Sequence, residues 1–555
     1  MRLSQFFTKE TAEKAGFIEK CGASDPEVSS LEYDSRNVKQ GSLFFALPGA
    51  HTDGSLFIKD AVKNGAVVIV HQNEIAKEAS PQESQQRLPQ RSQLKQLPPK
   101  KKHTQNKIVY IKVKDARYAM SPVSAAFFQF PSQRLRVTGV TGTEGKSTTV
   151  YLIWQLLTLT GKKAGFISTV QHCLGGEVLW NSEHQTTPEA PVVQRLLKEM
   201  ADNGCEYAVV ESSSHGLSVR TNRLGNVDFF CGVLTNVTHE HLEFHGTWEQ
   251  YRSDKANLFR ALDKYPAQRI MPQGAANALT PKPFGVINAD DNSLQYFKKA
   301  SKCKKFTYSP AGRDGDVILE MIKSSPFGNW YSIFIPALNE RINIRDNLPG
   351  AFNSANVLAA ILAVSGLTGS PIKETALYIK DLKPVRGRMT AIAKGQPFEV
   401  TVDYAHTPSS FRTVFPPLRE RKNAANKKII SVFGSAGERD TQKRPEQGKI
   451  AALYSDIIIL TDEDPRGENP MTILEEIASG VTEEKSRTIF KRGKNLFTIP
   501  DRPAAIRKAL SLAKKDDLVI LLGKGHENSI IYAANVMPFD EITEAEKALG
   551  EMGFN

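Results

Sequence analysis

Short apolar runs alternate with helical patterns along most of the chain. Runs typical of buried strands occupy residues 42–47, 66–71, 107–113, 166–170, 207–210, 231–234, 428–433, 457–460 and 518–522. Segments with a helical pattern, such as 150–157 and 192–200, lie between them. Strands that alternate with helices indicate an α/β fold built on parallel sheets. We therefore expect ligands at the carboxyl ends of the strands, which is where open α/β sheets bind them.

A glycine-rich turn follows the apolar segment that ends at Val140. It reads G-T-E-G-K-S-T and leads directly into a helical run. A strand, such a turn and a helix together cradle phosphates with backbone N–H groups, while Lys146 would reach the terminal phosphates and the Ser147 hydroxyl a magnesium ion. The spacing departs from a strict Walker A pattern, so a plain turn beside a surface lysine is the alternative. The context favours an ATP site whose predicted contacts are Gly142, Thr143, Glu144, Gly145, Lys146, Ser147 and Thr148.

The chain has 555 residues, which is too many for one hydrophobic core. We expect three domains: a small α/β domain over residues 1–134, a central domain over 135–384 whose sheet carries the phosphate loop, and a Rossmann-like domain over 385–555. The longest apolar runs are far shorter than the ~20 residues of a membrane span, and the first residues lack the pattern of a signal peptide. Five scattered cysteines form no C-x-x-C pair, which is typical of free thiols in a reducing compartment. We therefore expect a cytoplasmic protein.

Half of the net charge of +12 comes from one segment. Residues 81–107 hold seven basic residues and one acid and are rich in Gln, Pro and Ser. This composition predicts a disordered, basic insertion at about 76–107. The segment lacks the interleaved aromatic residues of a nucleic-acid binder, so we expect a passive loop and no nucleic-acid partner. A basic P-loop NTPase that acts on RNA is the alternative.

Two predicted strands of the central domain end in polar clusters. Glu211 begins the cluster E-S-S-S-H, and residues 235–246 read T-N-V-T-H-E-H-L-E-F-H-G. A carboxylate at a strand end beside a phosphate loop is placed to hold Mg²⁺, whereas a serine-rich helix cap is the alternative. The histidine-rich cluster suits either zinc or a hard cation. Without cysteines or an H-E-x-x-H helix, the sequence favours magnesium.

Together, these motifs resemble those of the Mur ligases, which are ATP-dependent, amide-forming enzymes of peptidoglycan precursor synthesis. The resemblance continues through Y-x-x-x-K at 251–255, N-A-D-D at 288–291, G-A-F-N-S-A-N at 350–356, G-R-M at 387–389, G-E-R-D at 437–440 and K-R-P at 443–445. Within the family, the motifs most similar to the MurE class are D-S-R at 34–36, T-T-P-E at 186–189, D-Y-A-H-T-P at 403–408, D-P-R-G-E at 464–468 and G-K-G-H-E at 523–527. MurE enzymes add the third amino acid of the stem peptide.

The resemblance implies roles in the handling of ATP and magnesium. The implied catalytic residues are Lys146, Lys255, His241 and Glu211. The implied magnesium ligands are Ser147, Glu211, His241 and Lys255, the last carrying a carbamate formed from CO₂. Because a carbamate forms only on a neutral amine, Lys255 should be buried or lie near other cations. Asn353 or Asn356 would face the adenine, and Arg388 and Asp403 would close over the nucleotide.

The resemblance also implies two substrate sites. The implied contacts of UDP-N-acetylmuramoyl-L-Ala-D-Glu are Tyr33, Ser35, His51, Thr186, Thr187, Ser213, Thr221 and Arg223. Arg223 lies farther along the chain from His215 than is usual in the family. The implied contacts of the incoming amino acid are Arg439, Glu463, Asp464, Pro465, Arg466, Gly523 and Glu527.

The identity of the added diamino acid depends on the loop that contains Arg466. Diaminopimelate-adding members have D-N-P-R there, and Arg466 keeps the arginine that pairs with a second carboxylate. This favours meso-diaminopimelate. Asp464 would equally suit the terminal ammonium of L-lysine or L-ornithine, so these stay open. A further alternative is a Mur-like ligase for another substrate, such as a folylpolyglutamate synthase. The D-S-R motif and the 49–54 loop instead favour a UDP-muramyl substrate. We expect a monomer.

Overall fold

The computed structural model describes residues 1–49, 53–74, 108–181, 185–238, 242–265, 282–325, 328–484, 486, 488–533 and 535–555. Three open sheets lie in succession along the chain, each flanked by helices, and the α/β fold predicted from the sequence is confirmed. The predicted basic insertion, His51 and His241 lie outside the described residues.

The N-terminal sheet has five strands. Its region contains α1 Leu3–Phe6, α2 Lys9–Lys14, β1 Phe17–Cys21, β2 Ser30–Glu32, β3 Ser42–Phe45, α3 Ile58–Asn64, β4 Val68–His71, β5 Val109–Val113 and α4 Ala116–Phe127. The strand order is β1-β5-β4-β3-β2, in which only β1 is antiparallel to its neighbour. Leu43, Val68 and Val109 are buried together with Met120 and Val123 of α4.

The central sheet has eleven strands. Its region contains β6 Arg136–Thr141, α5 Lys146–Leu159, β7 Ala164–Ile167, β8 Gln171–Cys173, β9 Val178–Trp180, α6 Ala190–Asp202, β10 Tyr207–Glu211, α7 Ser214–Leu217, β11 Phe229–Leu234, α8 Leu242–His245, α9 Trp248–Leu262, β12 Phe284–Asn288, α10 Leu294–Lys299, β13 Lys304–Ser309, β14 Val317–Ser325, β15 Gly328–Ile335, β16 Glu340–Asp346, α11 Asn353–Thr368 and α12 Ile372–Ala376. The strand order is β16-β15-β14-β13-β12-β11-β6-β10-β7-β8-β9.

Parallel strands form the middle of this sheet, and antiparallel strands extend it on both sides. Helices α5 and α11 cover one face, and α6 and α9 cover the other. Burial on both faces explains the continuous apolar runs of the middle strands. Gly139 of β6 lies so close to Leu258 of α9 that a Cβ would overlap that side chain. The bare strand therefore lets α9 pack near the phosphate loop.

The C-terminal sheet has six strands. Its region contains β17 Thr390–Ile392, β18 Glu399–Asp403, α13 Pro408–Ala424, β19 Ile429–Phe433, α14 Lys443–Tyr454, β20 Ile457–Leu460, α15 Pro470–Glu483, β21 Leu496–Thr498, α16 Arg502–Leu512, β22 Leu518–Leu522, β23 Ser529–Tyr532, β24 Asn535–Pro538 and α17 Glu541–Glu551. The strand order is β17-β18-β22-β19-β20-β21, and all neighbours except β17 and β18 are parallel. Helices α13 to α15 pack on one face, and α16 and α17 on the other.

Parallel strands bring the functional motifs to common edges. In the central sheet, β6, β10 and β11 are neighbours, so the segments that follow them meet at one edge. In the C-terminal sheet, the same applies to β22, β19 and β20. Within the described ranges, no helix is both long enough and apolar enough to cross a membrane.

Candidate active site

The phosphate loop connects β6 to the first turn of α5. Gly145 caps α5 with a left-handed backbone (φ +83°), which favours glycine. Its Cβ position lies 2.5 Å from Asn356 Oδ1, so a larger residue would not fit. Lys146 is the first helical residue, and its Nζ donates a hydrogen bond to the Thr143 carbonyl at 2.7 Å. The loop, the helix N-terminus and the lysine form the arrangement that binds phosphate.

Glu211 lies at the end of β10 directly beside this loop. Its side chain is buried, with 1% of the residue exposed. One carboxylate oxygen accepts a hydrogen bond from Ser147 Oγ at 2.9 Å, and the other accepts from Ser168 Oγ at 2.7 Å and from the Thr169 amide at 2.8 Å. The predicted magnesium ligands Ser147 and Glu211 are therefore in direct contact.

The segment after β11 braces the phosphate loop from the other side. The Asn236 carbonyl accepts from the Thr143 amide at 2.8 Å, and Asn236 Oδ1 accepts from the Glu144 amide at 2.9 Å. The Thr238 amide donates to Thr143 Oγ1 at 2.9 Å. The T-N-V-T segment after β11 therefore holds the backbone of the phosphate loop in place.

Lys255 projects from α9 toward the same loop. It is 1% exposed, and its Nζ donates to the Gly142 carbonyl at 2.6 Å. The Nζ also lies 4.4 Å from the centroid of the Tyr251 ring, whose hydroxyl is 3.0 Å from Thr143 Oγ1. The burial that the resemblance implies for this lysine is therefore present.

One histidine of the histidine-rich cluster is engaged elsewhere. His245 is buried, with Nδ1 2.8 Å from Asp254 Oδ2 and Nε2 3.0 Å from Ser214 Oγ. It therefore joins α9 to the start of α7. Among the described residues, no group of three His, Cys, Asp or Glu side chains forms a metal site by itself. The Ser147 hydroxyl and the Glu211 carboxylate are nevertheless hard oxygen donors, which are the type that Mg²⁺ binds.

The predicted nucleotide contacts fall into two groups. Asn356 Nδ2 donates to Asn353 Oδ1 at 3.0 Å, and Asn356 Oδ1 accepts from Thr149 Oγ1 at 3.2 Å, so this pair adjoins the phosphate loop. In the C-terminal region, Asp403 accepts from the backbone amides of Met389 (2.7 Å) and Ala405 (2.8 Å). Burial raises the pKa of Asp403, although Arg388 and these two amides lower it. Arg388 lies over the Tyr404 ring at 4.6 Å.

The predicted contacts of the nucleotide-sugar substrate are brought together in the central region. Thr187 Oγ1 donates to the Glu211 carbonyl at 2.8 Å and accepts from the Ser213 amide at 3.0 Å. Arg223 donates to the Thr187 carbonyl at 2.7 Å and to Glu189 Oε1 at 2.8 Å. The altered spacing after His215 thus still delivers Arg223 to the segment that contains Thr187. The Thr221 hydroxyl donates to the His215 carbonyl.

The N-terminal contacts lie in a separate sheet. Ser35 begins a short 3₁₀ turn capped by Asp34, which also pairs with Arg36. Tyr33 lies at the rim of the N-terminal core. Arg117 of α4 pairs with Glu189 at 3.1 Å, so one carboxylate binds arginines from both regions. Glu189 therefore connects α4 of the N-terminal region to Arg223 of the central region.

The predicted amino-acid site lies where β20 and β22 end. Lys524 is buried, and its Nζ donates to Asp464 Oδ1 at 2.9 Å and also to Glu527. Although burial alone lowers the pKa of Lys524, Glu527 and Asp464 raise it above its usual value. Glu527 also accepts from the Tyr404 hydroxyl at 3.1 Å. Lys524 and Tyr404 thus contact residues of the predicted site, although the sequence motifs that contain them do not single them out.

Two residues of the predicted amino-acid site have buried polar atoms without a hydrogen-bond partner. Glu463 Oε2 and Arg466 Nε are buried without a hydrogen-bond partner in the structure. Arg466 has a left-handed backbone (φ +54°), and its amide and carbonyl bond to Ile531 and Ala533 of the β23–β24 hairpin. Arg439 is exposed on the loop after β19. Gly437 of that loop lies against the Pro465 carbonyl, so the two loops that carry Arg439 and Arg466 touch.

The amino-acid sequence is similar to Mur ligases along nearly its whole length. The Mur ligase family catalytic domain matches residues 27–121, the Mur ligase middle domain matches 140–364, and the Mur ligase glutamate ligase domain matches 387–525. UDP-N-acetylmuramyl-tripeptide synthetase from Treponema denticola is 48% identical over 564 residues, 98% of either chain. The enzyme of that name from Treponema pallidum is 44% identical and covers 96% of this chain and 95% of its own.

A solved structure gives the same result in three dimensions. The structure of a UDP-N-acetylmuramoyl-L-alanyl-D-glutamate–2,6-diaminopimelate ligase has a TM-score of 0.57 and 25% identity, and covers 97% of this chain and 98% of that one. The phosphate loop, Glu211 and the similarities together define an ATP-dependent ligase. The chain belongs to the Mur ligase family, in its MurE class.

Proposed function

We propose that this enzyme adds a diamino acid to UDP-N-acetylmuramoyl-L-Ala-D-Glu as the third residue of the stem peptide. ATP would phosphorylate the side-chain carboxylate of D-Glu, and the amine would then attack the acyl phosphate, form the amide and expel phosphate. The observation that carries the proposal is the pairing of Ser147 with Glu211 beside the phosphate loop, in a chain that matches tripeptide synthetases over its whole length. The proposal is supported because phosphate-loop enzymes hold the magnesium ion of phosphoryl transfer with a loop hydroxyl and a nearby carboxylate.

ATP would bind the loop formed by residues 142–148. Lys146 would exchange its bond to the Thr143 carbonyl for phosphate oxygens, while the backbone amides that lie at the α5 N-terminus face the same charge. Ser147, Glu211 and His241 would hold magnesium, which neutralises the developing charge during phosphoryl transfer. Asn353 or Asn356 would contact the adenine. Arg388 and Asp403, on the C-terminal region, would complete the nucleotide site.

Lys255 would act as a carbamate. Its Nζ lies 2.6 Å from the Gly142 carbonyl of the phosphate loop, and its side chain is buried, which supports the proposal. Carbamylation joins the amine nitrogen to the carbon of CO₂ and releases one proton. The product is an anion that could serve as a further magnesium ligand beside Glu211.

The nucleotide-sugar substrate would lie between the N-terminal and central regions. Tyr33, Ser35 and His51 would hold the uridine diphosphate end, and Thr186, Thr187 and Ser213 the sugar-peptide part. Glu189, which pairs with both Arg117 and Arg223, supports this placement because it ties the two regions together. Arg223 and Thr221 would then line the substrate site. Arg223 holds the segment that contains Thr187 by its bond to the Thr187 carbonyl, and Thr221 bonds to the His215 carbonyl.

Two features bear on the choice of diamino acid. Arg466 presents a guanidinium beside an otherwise acidic loop, which suits the second carboxylate of meso-diaminopimelate. Lys524 compensates Asp464, so this acid is less free to bind a terminal ammonium than its position in the sequence suggests. The unpartnered oxygen of Glu463 favours the second candidate, a ligase for L-lysine or L-ornithine. We therefore keep meso-diaminopimelate first and the other two as alternatives.

The test is phosphate release from ATP in the presence of UDP-N-acetylmuramoyl-L-Ala-D-Glu. The three amino acids are compared separately, in wild type and in Arg466→Ala and Glu463→Gln. If meso-diaminopimelate is the substrate, Arg466→Ala should lose its activity while Glu463→Gln keeps most of it. The reverse pattern with lysine or ornithine would establish the second candidate. Absence of release with any of the three would refute the proposed function.

A further inference from the structure

A buried arginine connects the two loops of the proposed amino-acid site from behind. Arg502 is the first residue of α16, and Glu541 is the first residue of α17; both are fully buried. Their side chains form a bidentate pair, with Arg502 Nε 2.7 Å from one oxygen of Glu541 and Nη2 2.9 Å from the other. Neither residue belongs to the predicted site.

The remaining donors of Arg502 reach the backbone of two loops. Nη1 donates to the Asp462 carbonyl at 2.9 Å, and Nη2 donates to the Leu522 carbonyl at 2.7 Å. Asp462 directly precedes Glu463 and Asp464, and Leu522 directly precedes Gly523 and Lys524. The guanidinium thus bridges the ends of β20 and β22, two strands that are separated by β19.

The geometry of arginine makes this bridge rigid. Its donors lie in one plane at fixed angles, so simultaneous bonds to two carbonyls and a carboxylate define the distance between the loops. That distance matters to the site, because Lys524 of one loop must meet Asp464 of the other. A buried ion pair is a weak source of stability by itself, since desolvation offsets much of the attraction. The carbonyl contacts are therefore the informative feature.

The N-terminus of α17 also contacts the segment that joins the central and C-terminal sheets. Asp540, the residue before Glu541, caps α17. Its two carboxylate oxygens lie 2.8 and 3.0 Å from Arg386 Nη2, which donates to both. The Arg386 guanidinium also lies 5.8 Å from the ring centroid of Trp180 in β9. The N-cap Asp540 thus contacts the segment between the sheets, and the next residue, Glu541, pairs with Arg502.

We propose that Arg502, held by Glu541, is a positioning residue for amino-acid binding. It sets the separation of the 462–466 and 523–527 loops, so the last helix of the chain contributes to the amino-acid site without touching the substrate. The inference rests on the proposed amino-acid site. It concerns the affinity for the amino acid and leaves the ATP site of the central sheet unaffected.

The test compares Arg502→Lys with Arg419→Lys. A lysine at 502 can still pair with Glu541, but its single nitrogen cannot also reach both carbonyls in one plane. Arg419 is also buried, and it pairs with Asp456 at 2.6 Å near the opposite ends of the strands. We expect Arg502→Lys to raise KM for the amino acid about tenfold or more, with KM for ATP within about twofold. Arg419→Lys should leave both values unchanged while it lowers the melting temperature.

A second variant covers the case in which Arg502→Lys does not fold. The double change Arg502→Met with Glu541→Leu replaces the ion pair with apolar side chains, which buried pairs often tolerate. It removes the guanidinium N–H groups that donate to the Asp462 and Leu522 carbonyls. It should therefore produce the same selective rise in KM for the amino acid. Equal KM values in a folded variant and wild type, or parallel rises for ATP and amino acid, would overturn the inference. If wild type itself shows no amino-acid-dependent phosphate release, the proposed function fails instead.

Discussion

Replacing Glu211 with Gln separates the magnesium role that we propose for it from its structural role. The carboxylate accepts three hydrogen bonds, two of them on the same oxygen. An amide oxygen at that position keeps the bonds from Ser168 and Thr169, and the new NH₂ group faces Ser147 Oγ, which can accept instead of donate. All three contacts are therefore retained, and only the negative charge is lost.

The magnitudes follow from this geometry. Loss of charge assistance weakens each bond by roughly 1 kcal/mol, but a buried charge is removed at the same time, so we expect a net change in stability of about 1 kcal/mol or less. Glu211→Ala would leave buried donors unsatisfied and open a cavity, at a cost of about 3–5 kcal/mol. Both variants should lose turnover by roughly 10²- to 10³-fold, because a charge near the transferring phosphoryl group is gone.

The assay is phosphate release at a series of magnesium concentrations, together with thermal unfolding. Glu211→Gln should need more magnesium for half-maximal activity while it melts close to wild type. Asp456→Asn is the matched control, because it neutralises a carboxylate near the amino ends of the C-terminal strands and should leave the magnesium dependence unchanged. A Glu211→Gln enzyme with wild-type turnover and wild-type magnesium dependence would refute the assignment.

Three further predictions address the other groups. Lys255→Ala should abolish activity and be partly rescued by a short-chain carboxylate; near-normal turnover of this variant without rescue would contradict the carbamate. Burial raises the pKa of Asp462 to about 6 from the ordinary 3.8, so the folded state binds its proton more tightly and loses stability as the pH rises between these values. Asp462→Asn should therefore gain melting temperature relative to wild type from pH 4 to pH 7, and a constant difference would contradict this. Deletion of 81–107 should leave phosphate release intact at any salt concentration, whereas an RNA-dependent ATPase would lose activity.

The position of Glu211 was predictable because it needs only a local rule. A buried parallel strand of apolar residues must end at the sheet edge, and an acid that ends the strand must lie at that edge. The sequence identifies both the strand and the acid. The partners of Glu211 are less accessible: Ser168 and Thr169 follow a different strand, and nothing in their local sequence indicates that they face this carboxylate.

The histidine-rich cluster shows that residue composition alone does not predict which groups a histidine contacts. The cluster at 239–245 suggests a shared cation site, but His245 binds Asp254 and Ser214. Asp254 is nine residues away on the next helix, and Ser214 lies after another strand. Such a pairing depends on how α8 and α9 pack, which a local pattern does not determine. The same applies to Arg502, whose sequence context is an ordinary helix start after Asp501.

The amino-acid site shows why counting charges along the sequence misleads. Asp464 looks like an additional acid available for a terminal ammonium, but Lys524 of the neighbouring loop lies 2.9 Å from it. The compensating charge is 60 residues away in the chain and becomes adjacent only because the strands before the two loops lie in one sheet. Of the predicted contacts that the structure describes, Glu463 and Arg466 each have a buried side-chain atom, Oε2 and Nε, without a hydrogen-bond partner. Specificity should therefore follow the balance between these two groups, and their separate replacement, not that of Asp464, is the change that will shift it.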